Sequence, residues 1–193
     1  MNDLERAARA VADGELVVYP TETVYGLGGD ARSPTAVERV FAAKGRSREK
    51  PLSLGVPSVA RAEEYTTPTA REAACMRAFL PGPVTVLVDR GPEIPDVLTA
   101  GSDRVGIRVP AHDLARELLD ATGPVTATSA NVSGRPSVRT VADLDREIRD
   151  AAAVVVDGGE TQGTESTVVD VANDTIIRAG AMADAVREWL EAN

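Results

Sequence analysis

Apolar positions along the chain switch between two periods. Leu4, Ala7, Ala8 and Val11 recur at the spacing of one helix face, and Gly14 closes that run. Residues 15–19 then carry a short β-rich run, Leu-Val-Val-Tyr, ending at Pro20. The helical period returns after Ser33-Pro34, a cap followed by proline at the first helical position. Ala36, Val37, Val40 and Phe41 form that helix's apolar face, and the helix delivers the chain to Lys44. Residues 52–56 and 84–88 read as strands. Residues 58–65 and 69–80 read as helices, the second opened by a Thr69-x-x-Glu72 capping box. Residues 89–101, with Pro92, Pro95 and two glycines, read as a loop and as the most mobile segment.

The pattern continues with a strand at 105–110 that has Arg108 among its valines. His112 stands at a helix start and is read as a structural cap, with residues 114–119 continuing that helix. A strand leads from Pro124 into Thr126-Ala127-Thr128-Ser129. Residues 140–148 read as a helix with a Thr140-x-x-Asp143 cap, and 153–156 as a strand. Residues 168–171 and 175–178 flank Asn173-Asp174 as a hairpin, and a helix over 183–190 carries Trp189. Strand–helix alternation combined with a hairpin predicts an α/β fold. We expect one domain over 1–193, a twisted open sheet of mixed parallel and antiparallel strands flanked by helices.

Composition narrows the chemistry. Aromatic residues make up 3% of the 193-residue chain, so the core is expected to be aliphatic. One cysteine, Cys75, rules out an internal disulfide and is read as helix core. One histidine leaves little material for a zinc site or a Ser-His-Asp triad. No apolar run approaches the ~20 residues of a membrane span, and the N-terminal residues lack the pattern of a secretory signal, so a cytoplasmic protein is expected. The net charge of −9 argues against broad nucleic-acid binding through phosphate neutralisation. Scarce lysine and abundant acid fit either a high-salt cytoplasm or a GC-rich genome.

Against that acidic background one segment is positive. Of 21 cationic side chains only two are lysines, Lys44 and Lys50, and Arg46 and Arg48 lie between them. Ending at Pro51, the segment reads as a loop. Four clustered cations serve either as a solvated run or as an anion site, for which phosphate is the commonest multivalent ligand. Two further stretches carry small polar groups. Thr21-Glu22-Thr23 precedes three glycines in four residues, read as a Gly-rich turn beyond a strand end, and Ser129-Ala130-Asn131 offers a hydroxyl and an amide. No G-x-x-x-x-G-K-[ST] occurs, so no P-loop is expected.

Seven pieces in order carry a resemblance. They are the run from Tyr19 through Thr23 to Gly28, Lys44-Gly-Arg46 with Lys50-Pro51-Leu52, and Pro81-Gly-Pro-Val-Thr85. Then come Val105-Gly-Ile-Arg-Val-Pro110, Ser129-Ala-Asn131 with Ser133-Gly134, Glu165-Ser-Thr-Val-Val-Asp170, and Ile177-Arg178. The chain resembles the YrdC family, the L-threonylcarbamoyladenylate synthases, in the single-domain form. The resemblance implies an ATP-using nucleotidyltransferase. L-threonine, bicarbonate and ATP give threonylcarbamoyl-AMP and pyrophosphate, with Mg2+ accompanying ATP and no dedicated carboxylate cage for a metal. A downstream threonylcarbamoyl transferase complex would carry the group to tRNA, and weak binding of tRNA or double-stranded RNA fits the same reading.

By that resemblance Lys44 and Arg46 are catalytic. Arg46, Lys50, Asn131, Arg139 and Arg178 hold the nucleotide, and Thr23, Arg108, Ser129 and Ser166 hold threonine. The sequence departs from the pattern at Ser47, where many relatives have proline, and at Lys50, where many have asparagine. It departs again at Gly55, where many have a histidine near threonine. Two other readings stay open: a non-catalytic YrdC-like RNA-binding module, and the carbamoyl-transfer use of the fold in hydrogenase maturation. The latter normally sits in longer chains with zinc-finger-like cysteines.

Overall fold

The computed structural model describes residues 2–193; residue 1 of the expected domain lies outside the described residues. Among the described residues ten strands form one mixed sheet: β1 Leu16–Tyr19, β2 Gly26–Gly28, β3 Ser53–Gly55, β4 Thr66–Thr67, β5 Val84–Arg90, β6 Arg104–Arg108, β7 Val125–Ser129, β8 Ala152–Val155, β9 Thr167–Asp170 and β10 Thr175–Arg178. The order across the sheet is β10-β9-β5-β6-β3-β7-β2-β1-β8, with β4 added beside β5. Pairs β1–β8, β3–β6 and β5–β9 are parallel, and the remaining pairs are antiparallel. The helices are α1 Asp3–Ala12, α2 Pro34–Lys44, α3 Val59–Ala62, α4 Ala70–Phe79, α5 Asp96–Thr99, α6 Asp113–Thr122, α7 Arg146–Ala151 and α8 Ala183–Ala192.

The two faces of the sheet are covered unequally, and this inequality makes the site. One face packs Leu16, Val18, Leu54, Val86, Val88, Ile107 and Val169 into the larger core, against Val37, Phe41, Met76 and Val186 of the helices. Strand side chains alternate, so Val17, Tyr19, Val125 and Val154 point to the opposite face. There α1 and α6 cover them with Ala7, Val11, Leu118 and Leu119. That cover lies over the β1–β8 side. Toward β3, β6, β5 and β9 the second face stays open.

Several expected boundaries move. Gly26–Gly28 is a strand, because its glycines let the Tyr19 ring lie against it: a Cβ on either Gly26 or Gly28 would sit 3.0 Å from that ring. Residues 58–65 shorten to the single turn α3, after which Thr66–Thr67 joins the sheet. The segment 89–101 is anchored, contrary to expectation. Ile94 and Leu98 are fully buried, and Arg90 donates to Ser102 O at 2.9 Å, to Ile94 O and to Asp96 Oδ1. The expected helix 140–148 splits into a 3-10 turn at Val141–Asp143 and α7; Thr140 Oγ1 bonds Asp143 Oδ2 rather than a backbone N–H. His112 stands at the start of α6 but makes no capping bond, and its Nδ1 is buried without a partner among the described residues. The Thr69–Glu72 capping box and the Ser33–Pro34 start form as expected.

Candidate functional site

The open part of the second face is the floor of a cleft of about 480 Å³. Alternation decides which residues reach it. From β5 come Thr85 and Leu87, from β6 Arg104, Gly106 and Arg108, and from β3 Ser53 and Gly55, while β7 breaks the alternation and gives Ala127, Thr128 and Ser129 in a row. Most of these are small. A Cβ on Gly106 would stand 2.7 Å from Ser53 Oγ and 2.8 Å from Thr85 Cγ2, so only glycine leaves this floor flat. Ordinary strands would fill such a surface with side chains, whereas this one keeps room for a ligand.

The cationic segment arrives at the cleft from α2. Gly45 caps the helix with φ 57, a left-handed conformation that glycine adopts without strain, and turns the chain toward β3. The four cations then separate. Lys44 is the last residue of α2, 1% exposed, and not part of a solvated loop. Its Nζ donates to the Ser129 carbonyl and, at 2.7 Å, to the Asn131 carbonyl. Burial, aided by the nearby Arg46 charge, pushes its pKa down to about 8, with Asp145 pulling the other way. Arg46 lines the cleft, its guanidinium oriented by the Lys50 and Pro51 carbonyls at 2.9 and 3.0 Å. Lys50 also lines it, on the exposed rim. Arg48 turns away, pairs with Glu38 and lies over the Phe41 ring.

Arg178, from β10, reaches the same cleft and donates to Ser166 Oγ at 2.8 Å and Ser166 O at 2.9 Å. The Arg46 pKa is lowered, first by burial and then by the Arg178 charge. Among the described residues no carboxylate pairs with Arg46, and Arg178 meets Glu165 only at 4.0 Å. Glu49 and Glu165 also line the cleft, but Arg46 is left without a carboxylate partner among the described residues, and two guanidiniums close enough to repel form a place for an anion.

Arg108 is 8% exposed and held on two sides. Nη1 donates to the carbonyls of Gly82 and, at 3.1 Å, Val109, while Nη2 meets Glu22 Oε1 at 2.6 Å. These three bonds leave Nε–H and one Nη2–H for a ligand. Hydroxyls surround this part of the floor. Thr23 Oγ1 lies 2.9 Å from Thr21 Oγ1, and Thr85 Oγ1 lies 3.2 Å from Ser166 Oγ. Tyr19 also lines the cleft, its hydroxyl pKa pushed up to about 12 chiefly by burial.

Thr23, Arg46, Lys50, Arg108, Ser129, Ser166 and Arg178 therefore share one cleft. Lys44, Asn131 and Arg139 stand outside its lining. Asn131 spends its amide N–H groups on the Val132 and Arg135 carbonyls at 3.0 and 2.8 Å, and its Oδ1 is buried without a partner among the described residues. Arg139 bonds Thr161 O and pairs with Glu160, so it braces the 159–163 segment. The sequence reading passed over Tyr19, Glu22, Thr85 and Gly106 as site residues. Alternation was the available signal: with Arg108 aimed at a site, Gly106 two residues earlier shares its face.

A family model named Sua5/YciO/YrdC, described as telomere recombination, matches residues 9–180. The chain belongs to this family. Within the Sua5/YciO/YrdC family it is 38% identical to the threonylcarbamoyl-AMP synthase of Pyrococcus abyssi, covering 91% of this chain and 53% of that one. It is 36% identical to the Bacillus subtilis protein of the same name, covering 98% and 56%. The chain thus spans about half the length of these two relatives. The crystal structure of Pyrococcus abyssi Sua5 complexed with L-threonine superposes with a TM-score of 0.79 at 38% identity, covering 86% of this chain and 50% of that chain. The mixed open sheet flanked by helices is the Sua5/YciO/YrdC fold.

Proposed function

We propose that the protein is a threonylcarbamoyl-AMP synthase, a nucleotidyltransferase joining N-carboxy-L-threonine to the AMP moiety of ATP with release of pyrophosphate. The observation that carries this reading is the closeness of Arg46, which has no carboxylate partner among the described residues, and Arg178 in the same cleft as a buried Arg108 ringed by hydroxyls. Relatives named for this activity and a relative's structure with L-threonine support it.

The chemistry sets what the residues must do. A carbamate attacking the α-phosphate is an anion approaching an anion. Arg46, Arg178 and Lys50 offset that repulsion and the charge developing on the pyrophosphate. Arg108 takes the amino acid carboxylate on its remaining N–H groups, and Thr23, Thr85 and Ser166 address the threonine hydroxyl and the nitrogen, which has lost its ammonium protons by the time it carries the carbamate. Lys44 acts one layer back, fixing the Ser129–Asn131 turn through two carbonyls. No side chain forms a covalent intermediate; positioning and electrostatics supply the rate. Mg2+ accompanies ATP as part of the substrate.

Among the described residues no helix is long and apolar enough to cross a membrane. We place the protein in the cytoplasm, where ATP and bicarbonate are at hand. Its product is too reactive to store and would pass to a threonylcarbamoyl transferase acting on tRNA. The test is pyrophosphate release from ATP with labelled bicarbonate. Release that needs both L-threonine and bicarbonate, with label appearing in an adenylate, is expected. Equal release with threonine omitted would leave a nonspecific ATPase.

A further inference from the structure

Ile177 stands out among the described residues. It is 56% exposed, one of two large hydrophobic side chains left open to water, and it lines the cleft. Its position is built by an irregularity in the edge hairpin. On β10, Ile176 pairs with Val169 but Arg178 pairs with Val168, so the register slips between them. Such a bulge breaks the alternation of the strand and re-aims a side chain. Ile176 keeps the core side, while the consecutive Ile177 and Arg178 both reach the cleft. Val168, the register partner of Arg178, and Leu87 on β5 extend the apolar surface inward.

An apolar side chain beside Arg46, which has no carboxylate partner among the described residues, and Arg178, which meets Glu165 only at 4.0 Å, suits a ligand with the same division. Phosphates would lie between Arg46 and Arg178, and something flat and apolar would rest on the adjoining isoleucine. Threonine is too small and too polar to use this rim, and its carboxylate partner Arg108 is buried on the floor. We propose that Ile177 is the platform for the purine base of the nucleotide, aimed there by the β10 bulge, and so sets nucleotide affinity and base preference. This rests on the synthase reading, because it assigns the base of the ATP used there.

The experiment compares the full chain with Ile177→Ala and Ile177→Leu. AMP binding is measured by titration calorimetry, and steady-state KM is measured separately for ATP, CTP and L-threonine. Ile177→Ala is expected to weaken AMP binding and raise the ATP KM about fivefold to tenfold, the loss that goes with removing one or two buried methylene equivalents. The threonine KM should stay within about twofold, and the preference for ATP over CTP should shrink. Ile177→Leu should restore most of the affinity. The unfolding midpoint should not move, because the side chain is more exposed than buried in the free protein. Unchanged AMP affinity in Ile177→Ala overturns the proposal even if threonine-dependent pyrophosphate release persists, and the open side chain would then belong to a protein contact. Weakened AMP binding in a protein with no threonine-dependent release keeps the platform and sinks the synthase reading instead. A uniform rise in the ATP and threonine KM values, or a lower unfolding midpoint, would show a structural defect and also overturn it.

Discussion

At the scale of single residues, Lys44 and Arg46 are two positions apart and do opposite jobs. The Lys44 ammonium is enclosed and bonded to two main-chain oxygens, Ser129 O and Asn131 O. Lys44→Met is expected to destabilise the fold by about 2–4 kcal/mol, because those acceptors lose their donor inside the protein. Chemical denaturation checks it. The pH dependence has a definite sign. The ordinary pKa is 10.5 and the folded value is about 8. Between those values the unfolded chain holds a proton that the native protein has released, so stability from this group rises with pH across that window. Denaturation at pH 7.5 and pH 10 should therefore show wild type gaining on Lys44→Met at the higher pH, by at most about 3 kcal/mol. Arg46 faces the cleft, and Arg46→Ala should leave stability within about 1 kcal/mol of wild type. Turnover should fall about a hundredfold or more, and Arg46→Lys should recover only part of it because a point charge lacks the planar fork. Circular dichroism beside steady-state kinetics measures both. The cluster was visible in the sequence from its four cations. Their division into one buried, one turned away and two facing the cleft was not, since it depends on where α2 ends and what lies across from it.

At the scale of elements, the capped helices and the longer strands announced themselves, and the short strands β2 and β4 did not. Caps such as Ser33 and Thr69 are local signals, and their hydrogen bonds form within three residues. The glycines of β2 gave the same signal as a turn. Only the Tyr19 ring, a cross-strand partner, shows that they serve close approach instead. The segment 89–101 looked loose because its anchors, Ile94, Leu98 and the Arg90 guanidinium, act across space and have no period. The floor glycines make a paired prediction. Gly106→Ala should cost about 1–3 kcal/mol and weaken threonine binding, because the added methyl collides with Ser53 and Thr85. Gly55→Ala meets its neighbours only at 3.5 Å and should be neutral or slightly stabilising, by up to about 1 kcal/mol. Thermal unfolding with threonine titration on both variants separates an overfilled floor from a roomy one.

At the scale of the whole molecule, charge and topology both matter. A net charge of −9 spreads self-repulsion over the surface, so the unfolding midpoint is expected to rise as salt goes from 10 mM to 1 M, as denaturation across that range would show. The fold class was legible because strands alternated with helices, but the strand order was not, for it is set by pairings far apart in the chain. One such arrangement governs when the cleft is complete. Consecutive strands β8 and β9 lie at opposite ends of the sheet, one closing an edge and the other flanking β5. The stretch between them crosses the molecule, tied by Gly163 N to Thr23 O at 2.7 Å and by the Tyr25 hydroxyl to Gly159 O at 2.7 Å. A ribosome delivers strands in sequence order, whereas this sheet needs the β9–β10 hairpin beside a strand made well before it. Until that hairpin emerges, β5 waits with part of its edge unpaired and the cleft lacks Ser166, Ile177 and Arg178. A chain made only as far as Glu165 would carry most of the apolar core and an unfinished cleft, whose last wall comes with the β9–β10 hairpin.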